Sequence, residues 1–99
     1  MQRGNLRRAL ALTFKRTHRG PLRRVVLYEK QECGLCAAVF RALSRLALEH
    51  AIEIARVDIE RDPALRDRYA LRIPVVGVDG RELDAAGLDD DTLAAFVLG

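Results

Sequence analysis

The sequence predicts an α/β domain: a four-stranded mixed sheet flanked by helices, in the order βαβαββα, with a basic helix in front. Three observations carry this. "RVVLYE" (24–29) holds four consecutive apolar residues, Val25, Val26, Leu27 and Tyr28, between charged ends. That is the composition of a central strand covered on both faces. Over 36–48, Val39, Phe40, Leu43, Leu46 and Ala47 recur at three- and four-residue spacing, the mark of an amphipathic helix. Near the end, an Asp79-Gly80 step separates two short runs and reads as a two-residue hairpin.

The remaining elements follow in order. "NLRRALALTFKRTH" (5–18) has helical spacing, with Leu6, Leu10 and Phe14 on one side, Asn5 as a cap and Gly20-Pro21 as a stop. "AIEIARVDIE" (51–60) alternates apolar and polar residues at Ile52 and Ile54, then at Val57 and Ile59, and predicts a second strand. Asp62 followed by Pro63 starts a short helix over 62–71, with Leu65 and Tyr69 as its apolar face. "IPVVGVDG" (73–80) predicts the third strand, and 81–83 return as the fourth. The last helix runs over 88–99, capped by Asp89, with Leu88 placed to staple onto Leu93 and with Asp90 and Asp91 in its first turn. A strand–helix–strand crossover demands parallel neighbours and a right-handed connection, whereas the hairpin makes the last pair antiparallel.

Composition narrows the class. Ninety-nine residues, 49% apolar and 31% charged, make one small globular domain. No apolar run reaches the ~20 residues that span a bilayer. The net charge of +3 hides two unlike parts. Residues 1–24 carry eight Arg or Lys and no acid; the other nine basic residues face all fourteen acids, a balance of −5. A basic arm, 1–23, therefore precedes an acidic domain, 24–99. The domain carries no basic footprint for nucleic acid. The arm reads as a helix lying against the domain or a frayed arm, with a basic surface for a partner, nucleic acid or anionic lipid, and then a cleaved targeting segment, as the alternatives. Two cysteines are too few for a secreted disulfide scaffold, and "ALALTF" (9–14) lacks the features of a signal peptide. A cytoplasmic setting is expected.

The chemistry sits in "EKQECGLCA" (29–37). Cys33 falls where the first strand ends and the long helix starts; Cys36 lies one turn in. Residues three apart share a helix face, so the two sulfurs can meet. Free N–H groups and the helix dipole at this end favour thiolate over thiol at Cys33. Lys30 should lower the thiol pKa and Glu32 should raise it, both weakly because exposed charges are screened. Four readings remain for the pair. An intrachain zinc site would need His18 and His50, both far along the sequence. A cluster could be shared between two chains. The pair could be inert and buried. Redox chemistry is favoured by the spacing in a strand–helix–strand context. Pro74, opening the third strand, is placed where proline is tolerated; both a cis bond and the commoner trans bond are open to it there.

Taken together, the strand–Cys-x-x-Cys–helix unit, the Ile73-Pro74 step and the ββα ending resemble the thioredoxin fold, and within it the glutaredoxin-like proteins of bacteria. The resemblance covers about residues 24–98. "KQECGLC" is similar to the family pattern K-x-x-C-x-x-C at Lys30, Cys33 and Cys36. "RIP" (72–74) occupies the place of the family's T-V-P, and "AGLDDD" (86–91) that of its glycine and aspartate segment. The resemblance implies a thiol–disulfide oxidoreductase in which Cys33 attacks a disulfide and Cys36 resolves the mixed disulfide. It implies a cis Pro74 beside the sulfurs, Ile73 pairing with an extended substrate, and Lys30, Gly87 and Asp89 as substrate-binding residues. It further implies protein or small-molecule disulfides as partners, glutathione as a co-substrate rather than a tightly bound cofactor, no metal, no membrane, and glutathione or thioredoxin reductase as the electron source. A partner-docking module and a dimeric iron–sulfur carrier are the alternatives. Glu32 beside the nucleophile points to moderate activation, nearer a reductant than an oxidant.

Overall fold

The structure, a computed structural model, describes residues 21–99; the predicted helix over 5–18 and His18 lie outside them. The described elements are β1 (Arg23–Glu29), α1 (Gly34–Glu49), β2 (Ile52–Asp58), a 3-10 turn (Ile59–Arg61), α2 (Pro63–Tyr69), β3 (Val75–Val78), β4 (Arg81–Asp84) and α3 (Asp90–Leu98). The strands form one sheet in the order β2-β1-β3-β4. β1 pairs parallel with β2 from Arg23↔Ile52 to Glu29↔Asp58. β3 pairs antiparallel with both β1 and β4. This is the predicted four-stranded mixed sheet with its helices.

Local signals explain the boundaries. Asp62 caps α2 by accepting the Ala64 N–H at 2.9 Å, with Pro63 next to it at the helix start. Asp89 caps α3 by accepting the Thr92 N–H at 2.7 Å. Asp79 and Gly80 both have positive φ, 51° and 79°, as the tight hairpin between β3 and β4 requires. β2 ends sooner than its alternation suggests: at Asp58 the chain turns, and the Asp58 carboxylate accepts the Glu60 N–H at 2.9 Å. Ile59 thereby leaves the sheet and becomes a buried plug on another layer.

The two sheet faces are unequal. On one face Val25, Leu27, Val76 and Val78 meet Val39, Ala42 and Leu43 of α1 and Leu93 and Val97 of α3. On the other, Ile59, Tyr69 and Val75 form a smaller cluster with Tyr28, Leu65 and Ile73. Tyr28 and Tyr69 stack there with ring centroids 4.1 Å apart. The apolar run in β1 predicts full cover on both faces. The structure corrects this: Val25 and Leu27 are wholly buried, but Val26 and Tyr28 are only partly covered. The seven-residue α2 is too short to roof the second face beside them.

A polar network closes the second face. The Tyr69 hydroxyl donates to Glu82 at 2.5 Å, and Arg72 reaches Glu82 and Asp84. The hydrogen bond from Tyr69, with help from Arg72 and Arg68, holds Glu82 below the ordinary carboxylate value. Burial and the bond to Glu82 push the Tyr69 phenol above its ordinary value.

Two tests follow. Leu43 is wholly buried against the sheet, so Leu43→Ala should cost about 3 kcal/mol in denaturant unfolding. A loss well under 1 kcal/mol would contradict the packing. The lowered Glu82 means that its stabilising contribution is complete above the unfolded-state value and fades as pH falls through the folded one. Glu82→Gln should therefore be less stable near neutrality and lose less of its remaining stability in acid than the parent. Parallel acid limbs would refute the linkage.

Candidate active site at the Cys33–Cys36 disulfide

Cys33 and Cys36 are joined by a disulfide, with their Cα atoms 5.2 Å apart. Cys33 is the N-cap of α1, in extended backbone, and its Sγ accepts the Cys36 N–H at 3.1 Å. A sulfur thus takes the place that a serine or aspartate oxygen usually holds at a helix start. Cys36 is 1% exposed, whereas Cys33 is partly exposed. Only Cys33 is open to an incoming sulfur. The first turn of α1 carries no acidic side chain, so no carboxylate within it competes for the dipole. Glu32, immediately before Cys33, has φ +55°, a left-handed conformation uncommon outside glycine. It turns the chain from β1 into the helix.

The strand register brings the other predicted residues to the same end of the sheet. Tyr28, near the end of β1, pairs with Val75 at the start of β3. The residues just before β3 therefore sit beside the chain that leads to Cys33. The Ile73-Pro74 bond is cis, and Pro74 is fully buried. The Pro74 carbonyl accepts from Ala85 N–H at 2.8 Å. The Ile73 N–H already donates to the Tyr69 carbonyl at 3.0 Å. A substrate strand laid beside Ile73 would find this donor taken.

A cavity of about 350 Å³ opens beside Cys33. It is lined by Glu29, Lys30, Gln31, Glu32, Gly34, Ala37 and Arg56 as well as Cys33. Lys30 is therefore placed as expected, in the same hollow as the outer sulfur. Glu29 and Arg56 are additions that sequence reasoning did not make. Glu29 is the buried charged residue of the described core, 8% exposed. Arg56 grips it with two parallel bonds, Nε to Oε2 at 2.6 Å and Nη2 to Oε1 at 3.1 Å. The guanidinium also lies over the Phe40 ring, 3.8 Å from its centroid. Bonding to Glu29 raises Arg56 above its already high ordinary pKa. A bidentate, ring-stacked guanidinium is far more fixed than a free surface arginine. A signal was available: Glu29 follows Val25 and Leu27 on the inward parity of β1, and Arg56 follows Ile52 and Ile54 on that of β2.

Gly87 and Asp89 lie on a different side of the motif. Gly87, with φ +74°, lines a separate cavity of about 290 Å³ between α1 and α3 together with Leu35, Leu88, Leu93, Arg41 and others. The Leu88 and Leu93 pair of the predicted staple both line this hollow. The Asp89 carboxylate is committed to the α3 cap, and the bonds from Thr92 hold it below the ordinary carboxylate value. Of the predicted substrate residues, Lys30 lines the hollow beside Cys33 and Gly87 lines the other, while Ile73, Pro74 and Asp89 line neither of the two.

Comparison with known proteins gives the same frame. The family described as Glutaredoxin-like domain (DUF836) matches residues 24–98, and the chain belongs to it. Uncharacterized proteins of Mycobacterium tuberculosis and Mycobacterium bovis are each 30% identical over 78 residues, covering 74% of this chain and 80% of theirs. The crystal structure of a structural-genomics target protein from X. campestris is 34% identical, with a TM-score of 0.64 over 73% of this chain and 92% of that one. A mutant thioredoxin from Halobacterium salinarum, at 23% identity, shares the fold with a TM-score of 0.58 over 76% of this chain and 71% of its own. The fold is thioredoxin-like.

The helix-end position of the Cys33 sulfur gives a direct test. In the reduced protein, the ultraviolet thiolate absorbance of Cys33 should titrate below the ordinary thiol value. Glu32→Gln should move the midpoint down and Lys30→Gln should move it up, both slightly. A midpoint at or above the ordinary value would contradict stabilisation of a Cys33 thiolate by the helix start.

Proposed function

We propose that this glutaredoxin-like protein is a thiol–disulfide oxidoreductase working through Cys33 and Cys36. The observation that carries the reading is the asymmetry of the pair at a helix start: an outer sulfur bonded to the Cys36 N–H and partly exposed, an inner sulfur buried. The Cys33 thiolate attacks one sulfur of a disulfide, the new Cys33–substrate bond forms, and the first thiolate leaves and takes a proton from water. Cys36 loses its proton and attacks the Cys33 sulfur, and the second thiol departs. Two electrons pass from the cysteine pair to the substrate. On this reading the cis Pro74 step and Ile73 meet the substrate from the β3 side, and Lys30 from the hollow that it lines with Cys33. Gly87 and Asp89 would meet only a substrate that reaches across to the α3 side. Glutathione is the co-substrate on this reading, taken from solution rather than held as a resident cofactor. A glutathione or thioredoxin reductase system regenerates the dithiol, and a cytoplasmic site keeps it reduced. Among the described residues no helix is long and apolar enough to cross a membrane.

The test is trapping. Cys36→Ser should accumulate a mixed disulfide between Cys33 and glutathione or a client protein, visible as an added mass that dithiothreitol removes. Cys33→Ser should abolish disulfide reduction. Unimpaired reduction by Cys33→Ser would rule the mechanism out. Parallel assays with glutathione plus its reductase, and with thioredoxin reductase, identify the electron donor by which one sustains turnover.

A further inference from the structure

The second face of the sheet is finished at one end only. Toward the cysteines, Ile59, Leu65 and Tyr69 pack on Tyr28 and Val75. One row further from the site, the register sets Ala55, Val26 and Gly77 side by side on β2, β1 and β3. Ala55 is exposed, and Val26 and Gly77 are only half-covered. Leu22, 59% exposed, leads into β1 at this same end. Together they make a shallow apolar floor.

Gly77 is the informative residue. It lies inside β3, its φ is outside the left-handed region, and the pairing with β1 runs through it without a bulge. A side chain there would make only ordinary contacts, 3.7 Å to the Tyr28 ring and 3.9 Å to Val26. Neither the backbone nor the described neighbours require glycine, and glycine weakens a strand. A glycine so placed marks a position that another segment approaches closely.

The chain holds a segment of matching chemistry. The predicted helix over 5–18 carries Leu6, Leu10 and Phe14 on one side. By helical spacing Arg7 and Arg16 border that stripe, and Arg8 and Lys15 lie opposite it. Residues 1–20 hold six Arg or Lys and no acid, against the acidic balance of the domain. Glu53, on the β2 edge, and Asp79, in the β3–β4 hairpin, are exposed acids at the two borders of the floor. A helix over 5–18 is about 21 Å long, more than enough to cover the bare half of a seven-residue strand. Residues 19–22, with Gly20-Pro21 among them, join it to β1 at the bare end, so the chain can fold back over the strand it enters.

We propose that residues 5–18 dock as a helix on this floor, with Leu6, Leu10 and Phe14 over Ala55, Val26 and Gly77, and with Arg7 and Arg16 toward the acidic borders. The missing side chain at Gly77 lets the helix sit close to the strands. A second copy of the acidic domain would meet the floor with like charge, whereas the arm meets it with opposite charge. The arm is then a built part of the domain, and its apolar stripe is withheld from lipid and from other proteins. None of this depends on the cysteine chemistry.

The sequence has no tryptophan, so Phe14→Trp in the whole chain is a single reporter. Its emission should lie to the blue of that of the urea-unfolded protein, and acrylamide should quench it several-fold more slowly. Neither reading should change with protein concentration. Adding Ala55→Asp should shift the emission to the red and speed the quenching. Ala95→Asp, at an exposed position of α3 on the other side of the sheet, should do neither. Without the reporter, Gly77→Val should lower the urea midpoint, because the new side chain holds the helix off. On a face with no helix the same change should leave the midpoint unchanged or raise it, since a β-branched residue suits a strand. Emission and quenching equal to those of the unfolded chain would overturn the proposal. So would dependence on concentration, which means an intermolecular occupant, and so would indifference to Ala55→Asp, which means docking elsewhere. A Gly77→Val midpoint that holds or rises would overturn the close approach on its own.

Discussion

Two parallel neighbours cannot be joined by a turn, and this constraint organises the molecule. β1 and β2 run the same way, so the chain leaving β1 must travel back across the sheet before β2 can begin. α1 makes that journey, and the right-handed sense of the crossover decides which face it crosses. Its N-terminus has to lie at the C-terminal end of β1. Cys33 and Cys36 occupy that end because their place in the sequence is the place where the crossover starts. The polarity of the peptide bond then does the rest: free N–H groups converge on the first sulfur. Position, orientation and electrostatic environment of the motif all follow from one parallel pair.

The strands and helices were legible because their signals are local. Apolar spacing placed α1, the Asp62-Pro63 step placed α2, and Asp79-Gly80 placed the hairpin. The cysteine motif was legible for the same reason. The ion pair at Glu29 and Arg56 was not, since its partners are far apart in sequence and meet only through the register that sets Leu27 against Arg56. In "AIEIARVDIE" the alternation stumbles between Ile54 and Val57. That stumble is the inward arginine, and its sense appears only once Glu29 is found beside it. Cover of the second face was also beyond reading. An unbroken apolar run shows that a strand is central; it does not tell how far a short helix such as α2 extends over Val26.

The site combines a general frame with particular furniture. The fold supplies the helix start, the cis bond before β3 and the capped α3. Onto this the chain sets Leu35 and Leu88 beside one hollow, and Arg56 and Lys30 beside another. The Ile73 N–H, already bonded to Tyr69, narrows what backbone pairing can offer an incoming strand. On the proposed chemistry, discrimination among substrates then falls more heavily on side chains.

The unequal exposure of the two sulfurs has a kinetic meaning. Cys36 is sealed beneath the helix start, so on the proposed chemistry every partner meets the protein at Cys33. On that chemistry, donor and acceptor of electrons compete for one doorway and cannot occupy it together. On the proposed chemistry the protein is a shuttle of the ping-pong kind. It carries two electrons between partners that never share a complex, and each partner's rate is set by how quickly the other vacates the same sulfur.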